Sequence, residues 1–154
     1  MSEYRDRLGA LGYSVNQGIQ LYAQTHKYIE QEGSTAKSAL KNLFRRGTQM
    51  SRLLEAAESL LPIWNDIYSN IMFFEAQTAF LLDDDESRYL DALLKYVKRV
   101  KVAIEALIER QRYLTQSSID WSTHLAASQK YLAAMSSFME AEDEMNRASL
   151  WRKT

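Results

Sequence analysis

The chain has 154 residues, with no cysteine, one proline and five glycines. Without cysteine it forms neither a disulfide nor a thiolate metal site. Glycine and proline are the residues that interrupt helices, and average usage would place roughly 18 of them in a chain of this length. Few helix breakers imply few turns, so we expect a small number of long helices.

Neither sign of charge is in excess, because 19 basic and 20 acidic residues give a net charge of −1. A nucleic-acid-binding domain usually carries a strongly basic surface, so the composition argues against nucleic acid as a partner. The sequence also lacks an apolar run of about 18 residues that could span a bilayer, and the apolar segment of a signal peptide. These absences predict a cytoplasmic protein with one domain over residues 1–154.

Apolar residues recur at intervals of three and four along most of the chain, which predicts amphipathic helices. The first helix is expected over 2–32, with Gly33 and Ser34 forming a tight turn. The second is expected over 34–82. Its stripe continues in phase across Pro62, so we expect a kink there and no true break.

A third helix is expected to begin at Asp83, where Asp83 and Glu86 have the spacing of a capping box. The three-and-four pattern then continues to about residue 146. One continuous helix over 84–146 would be about 95 Å long at 1.5 Å per residue. The alternative is a new helix capped by the segment 117–120, Ser-Ser-Ile-Asp.

These segments predict an all-α fold: an antiparallel bundle of three long helices with coiled-coil-like packing, or four or five helices if the second and third are broken. Chain reversal at the two predicted turns would place the first helix against 34–64 only. The segment 65–101 would then be a two-helix hairpin, although it is the most apolar part of the chain.

Soluble monomers rarely expose a large contiguous apolar patch, so this hairpin needs a cover. A second copy of the chain could supply this cover, which predicts a homodimer. The alternative is a fold-back in which residues 118–150 cover the same surface. The predicted interface residues are Ile67, Ile71, Phe73, Phe74, Phe80, Leu81, Leu90, Leu94 and Val97.

Candidate catalytic and metal-binding residues are few. His26 and His124 each have a carboxylate four residues away, but the Glu-x-x-His pattern of di-iron bundles is missing. No Ser-His-Asp spacing, phosphate loop or zinc motif occurs. We therefore expect no enzyme activity, no metal and no cofactor. Glu75 lies on the apolar stripe, and an ion pair with Lys95 is expected to satisfy it.

One segment of the chain resembles the hairpin and final helix of BAR domains, especially those of sorting nexins. The residues that carry the resemblance are Asp85, Glu86, Leu90, Leu93, Leu94, Tyr96, Ala103, Leu107, Arg110, Trp121 and Leu132. The resemblance implies three long, kinked helices, dimerisation, and association with curved anionic membranes through a basic face. It would assign lipid contact to Lys95, Lys98 and Arg99.

The sequence thus favours a non-enzymatic interaction protein, an oligomerising scaffold or adaptor that binds another protein. A BAR-like module associated with anionic membranes is the first alternative. The second is a secretion-type chaperone that binds an amphipathic client helix in the apolar groove of residues 65–101.

Overall fold

The computed structural model describes residues 3–38 and 43–151, and the side chains of 34–48 are not described. The regular structure in these ranges is entirely helical, which confirms the all-α prediction. The described ranges contain four helices, where three long helices were expected, or four or five if the second and third were broken. They are α1, Glu3–Ser38; α2, Leu43–Gln77; α3, Asp84–Leu114; and α4, Trp121–Arg147.

Helix α1 is longer than expected, because it continues through Gly33 to Ser38. The predicted turn at Gly33 is wrong: a single glycine inside a helix costs only about 1 kcal/mol, which the packing of a long helix offsets. The extension shifts the pairing of the first two helices. Arg7 donates a hydrogen bond to Gln77 at 2.7 Å, so α1 extends along α2 to the end of that helix. The expectation that the first helix packs against residues 34–64 only is therefore also wrong.

Helix α2 passes through Pro62 without interruption, as expected. It ends earlier than predicted, at Gln77. The Thr78 hydroxyl donates to the Phe74 carbonyl at 2.8 Å. The chain then turns over 78–81, where the Leu81 amide donates to the Thr78 carbonyl at 2.9 Å and Phe80 adopts a left-handed conformation with φ 66°, which is rare for a bulky residue.

Helix α3 begins with the predicted capping box. The Asp83 carboxylate accepts from the Glu86 amide at 2.7 Å, and the Glu86 carboxylate accepts from the Asp83 amide at 3.0 Å. The expected continuous helix over 84–146 is wrong, because α3 ends at Leu114 and the alternative break occurs. Asp120 caps α4 by accepting from the backbone amides at 122 and 123, which favours a new helix start over continuation.

The break allows α4 to fold back on α3. Lys95 binds Glu144 at 2.8 Å near one end of this hairpin, and Glu109 binds Lys130 at 3.0 Å near the other. The expected ion pair between Lys95 and Glu75 is therefore wrong. Helix α3 lies at the centre of the fold and packs against α2, α4 and α1.

The predicted interface residues divide into two groups. Three are exposed on the single chain: Phe73, Phe80 and Leu81. The other six lie in its hydrophobic core: Ile67, Ile71, Phe74, Leu90, Leu94 and Val97. The core six are covered by α1 and by the fold-back, so they need no second copy to exclude water. The homodimer stays a prediction, with Phe73, Phe80 and Leu81 the members of its predicted interface that lie at the surface.

Candidate functional site

Helix α4 has a buried face that attaches it to the bundle. Its buried residues are His124, Ala127, Tyr131, Phe138 and Ala141, which are separated by three, four, seven and three residues. This periodicity produces one stripe along a straight helix, so the opposite side of α4 faces away from the core.

A second apolar stripe runs along the exposed side of α4. Its large residues are Trp121, Leu125, Leu132 and Met139, which are 54%, 59%, 59% and 60% exposed. Ser128 and Met135 complete the three-and-four spacing; both are half-buried, and Met135 also packs against the hydrophobic core. Single exposed apolar residues are ordinary on a protein surface, but a continuous row usually marks a contact site.

Small or uncharged residues adjoin this stripe. They are Ser122, Ala126, Gln129, Ala133 and Ser136, and all five are exposed. We call these five residues and the stripe together the outer face of α4. The exposed side of α2 has the usual solvated composition, with Arg52, Glu55, Glu58 and Asp66 among its residues. The outer face of α4 therefore differs from an ordinary helix surface of the same molecule.

Helix α4 is held away from α1. In the part of the chain that the structure describes, no Cα atom of α1 lies within 8 Å of one in α4. Packed helices have axes about 8–10 Å apart and place several Cα atoms closer than that. Long aromatic side chains bridge the gap instead: the Tyr22 and Tyr131 hydroxyls meet across it, and the Tyr22 ring packs edge-on against Phe138 at 5.5 Å.

A buried polar cluster forms where these side chains meet. The Tyr131 hydroxyl contacts the Tyr22 hydroxyl and lies 2.7 Å from His26 Nδ1. A neutral imidazole has one ring nitrogen that donates and one that accepts, so the tautomer of His26 sets the direction of the chain His26–Tyr131–Tyr22, and either direction gives Tyr131 one bond to each neighbour. Each of these buried polar atoms then has a partner, as buried polar groups require.

Arg110 joins α3 to the same cluster. Its guanidinium binds the Glu30 carboxylate at 2.6 Å, and it stacks over the Tyr131 ring at 5.0 Å from the centroid. It also donates from Nε to Gln111, which is buried, at 3.0 Å. Arg110 therefore contacts residues of both α1 and α4 and bridges the gap between these two helices.

Burial controls the ionisation of the cluster. Loss of hydration raises the pKa of Tyr22 to about 12, and it raises the pKa of Tyr131 as well. Burial lowers the pKa of His26 below its ordinary value, and the positive charge of Arg110 acts in the same direction, whereas Glu30 opposes it. At neutral pH the phenols remain protonated and the imidazole neutral. The cluster is thus suited to holding α4 in place by hydrogen bonds.

The residues assigned to lipid by the BAR resemblance do not form one free basic patch. Both carboxylate oxygens of Glu144 accept from Lys95, at 3.1 and 2.8 Å. Arg99 donates to the Ser137 carbonyl at 3.0 Å. Lys98 is exposed. Two of the three cations therefore connect α3 to α4.

Within the described residues, no three His, Cys, Asp or Glu side chains are grouped so that they could hold a metal ion. Across residues 3–38 and 43–151, no helix combines the length and apolar character needed to cross a bilayer.

Comparison of the chain with family models, with curated proteins and with solved structures gives no match. The BAR resemblance consequently stays a prediction. The three-and-four apolar pattern that continues to about residue 146 includes positions 121, 125, 132 and 139. A continuous helix would bury them with the rest of the pattern, so sequence reasoning missed the exposed face. The helix start at Asp120 was the signal that could have revealed the exposed face. A helix that folds back after a break can bury a different stripe from the one that a continuous helix would bury. No motif marks the tyrosine–histidine cluster.

Proposed function

We propose that this chain is a non-enzymatic interaction protein, an oligomerising helical-bundle scaffold or adaptor that binds a protein partner through the outer face of α4. The observation that carries the proposal is the row of four large apolar side chains, each more than half exposed, on a helix side that is otherwise small and uncharged. Apolar anchors surrounded by small residues are suited to a helix-to-helix contact.

The structure of the bundle supports α4 as the presenting element. Its inner face is fixed to α3 by ion pairs at both ends and to α1 by the Tyr22–Tyr131 contact. The outer face is thereby held on a rigid helix, which lowers the ordering cost of binding.

Other apolar surfaces are less suited to the role. The groove that a chaperone would offer at 65–101 is filled, because Ile71 and Val97 lie in the core. Phe80 and Leu81 are exposed, but they precede the acidic run that begins at Asp83. The stripe on α4 is longer, about 27 Å from Trp121 to Met139 at 1.5 Å per residue.

Site-specific photo-crosslinking in living cells tests the proposal. A photoreactive amino acid placed at Leu132, on the outer face, should give a discrete adduct whose partner mass spectrometry identifies. The same amino acid at Asp66, which is exposed on α2, serves as the matched control. A combined Leu125→Gln and Met139→Gln change should weaken the adduct formed from position 132, because it removes the apolar neighbours.

Each result decides the matter. A defined partner at position 132, not captured at Asp66 and weakened by the double change, supports the proposal. Equal labelling from both positions, or no adduct from position 132, would contradict it.

A further inference from the structure

The apolar stripe of α4 has a spacing that reads the same in both directions. Its positions are 121, 125, 128, 132, 135 and 139, with intervals of four, three, four, three and four. When two such helices are placed antiparallel about residue 130, Trp121 meets Met139, Leu125 meets Met135, and Leu132 meets Ser128. Every stripe position of one helix therefore lies opposite a stripe position of the other, as a two-fold interface requires.

We propose that the outer face of α4 binds a second copy of this chain, with the two α4 helices antiparallel. This inference rests on the proposed function, since it names the occupant of the same surface. It relocates the homodimer from residues 65–101 to residues 121–139.

The charges along α4 favour this orientation. From Trp121 to Ala133 the only charged side chain is Lys130, whereas residues 134–147 contain four acids and one arginine. Antiparallel pairing places the exposed acids Glu140 and Asp143 beside the amino-terminal end of the partner helix, where the helix dipole is positive. Arg112 is exposed at that same end of the bundle.

One carboxylate already lies at that end. Asp120 accepts hydrogen bonds from the Ser122 and Thr123 amides, at 3.1 and 3.3 Å, and keeps its negative charge. It opposes part of the attraction, but it is a single charge in each copy, whereas a parallel pair would place the four acids of one α4 beside the four acids of the other. The charge distribution therefore favours the antiparallel arrangement.

The size of the stripe sets the strength of the dimer. A strip about 27 Å long and about 10 Å wide covers on the order of 300 Å² per copy. Stable complexes bury about 800 Å² per partner, so this contact falls in the weak class. We expect a dissociation constant of about 10–1,000 µM, and a population of dimer that depends on concentration.

Sedimentation equilibrium of the purified chain tests the association. The apparent mass should rise from 17.8 kDa at low micromolar concentration towards twice that value near millimolar concentration. Leu132→Gln should weaken association at least tenfold. Val102→Gln is the matched control, because Val102 is 53% exposed on α3 and lies off the stripe; it should leave association unchanged.

Disulfide trapping tests the orientation, and the chain offers no background because it has no cysteine. Gln129→Cys lies beside the two-fold axis and should form a covalent dimer under mild oxidation. Ser122→Cys is near the helix end and would be about 24 Å from its own counterpart in the antiparallel pair, so it should remain reduced.

The outcomes separate the two proposals. A chain that stays monomeric at millimolar concentration, or that associates equally well with Leu132→Gln, overturns the dimer. A Ser122→Cys variant that crosslinks as readily as Gln129→Cys overturns the antiparallel arrangement. The proposed function fails only by the photo-crosslinking result, since an adduct with a different protein at position 132 supports the adaptor role without the dimer.

Discussion

Tyr131 is the residue at which the three helices around the polar cluster meet. Its hydroxyl contacts Tyr22 and His26 of α1, and its ring lies under Arg110 of α3. Tyr22 has a single hydroxyl partner, which is Tyr131 itself, among the hydrogen bonds described for it. Removing one hydroxyl therefore has different consequences at the two positions.

Tyr131→Phe should lower the free energy of unfolding by about 1–3 kcal/mol, because the Tyr22 hydroxyl and His26 Nδ1 both lose their partner. Tyr22→Phe should cost less, about 1 kcal/mol, since Tyr131 keeps its bond to His26. Urea denaturation followed by circular dichroism measures both changes. Equal costs, or a larger cost for Tyr22→Phe, would show that the cluster is not centred on Tyr131.

Sequence patterns could not have located this cluster. His26 and Glu30 were noted because they are four residues apart on one helix, but the partner of His26 is 105 positions away on α4. Such a contact depends on the fold-back and on the separation of α1 from α4. Neither is encoded in local spacing.

At the scale of elements, the glycines of α1 show how close the helices lie. A Cβ added at Gly18 would lie 2.7 Å from the Ile67 side chain and 3.2 Å from Trp64, both on α2. A Cβ at Gly33 would meet nothing nearer than Leu53, at 4.0 Å. Glycine at position 18 thus allows α1 and α2 to approach closely.

Alanine at these two positions should have opposite effects. Gly18→Ala should destabilise the fold by about 1 kcal/mol or more, because overpacking exceeds the gain in helix propensity. Gly33→Ala should stabilise it by about 0.5–1 kcal/mol, because it gains the propensity without the clash. Thermal or urea unfolding of both variants measures the difference. If Gly18→Ala proves as stable as Gly33→Ala, the close approach of α1 and α2 is incorrect.

The existence of helices was predictable, and their ends were less so. Asp83 and Glu86 predict a helix start because a capping box depends only on residues that are close in sequence. The structure contains this capping box. The end of α1 was misplaced because Gly33 looks like a stop signal, yet a helix tolerates one glycine when packing continues beyond it. The break after Leu114 was ambiguous, since the apolar pattern continues in phase across it while Asp120 supplies a cap.

At the scale of the whole molecule, the fold-back of α4 determines which surface is left open. It covers the α3 residues around Tyr96, whose ring packs edge-on against Phe138 at 6.2 Å. Six of the nine residues that sequence reasoning assigned to a dimer interface lie in the hydrophobic core, and Phe73, Phe80 and Leu81 stay exposed. The row of exposed apolar side chains on the outer face of α4 is the surface on which the proposed function and the proposed dimer both depend.

The distance between α3 and α4 tests this fold-back most directly. Spin labels at Asp91→Cys and Ser136→Cys, both exposed positions in a chain without cysteine, report it by double electron–electron resonance. The hairpin predicts a separation of about 20 Å, from the helix offset and the spacing of packed helices. A separation of about 70 Å, expected for one continuous helix through residues 115–120, would contradict the account.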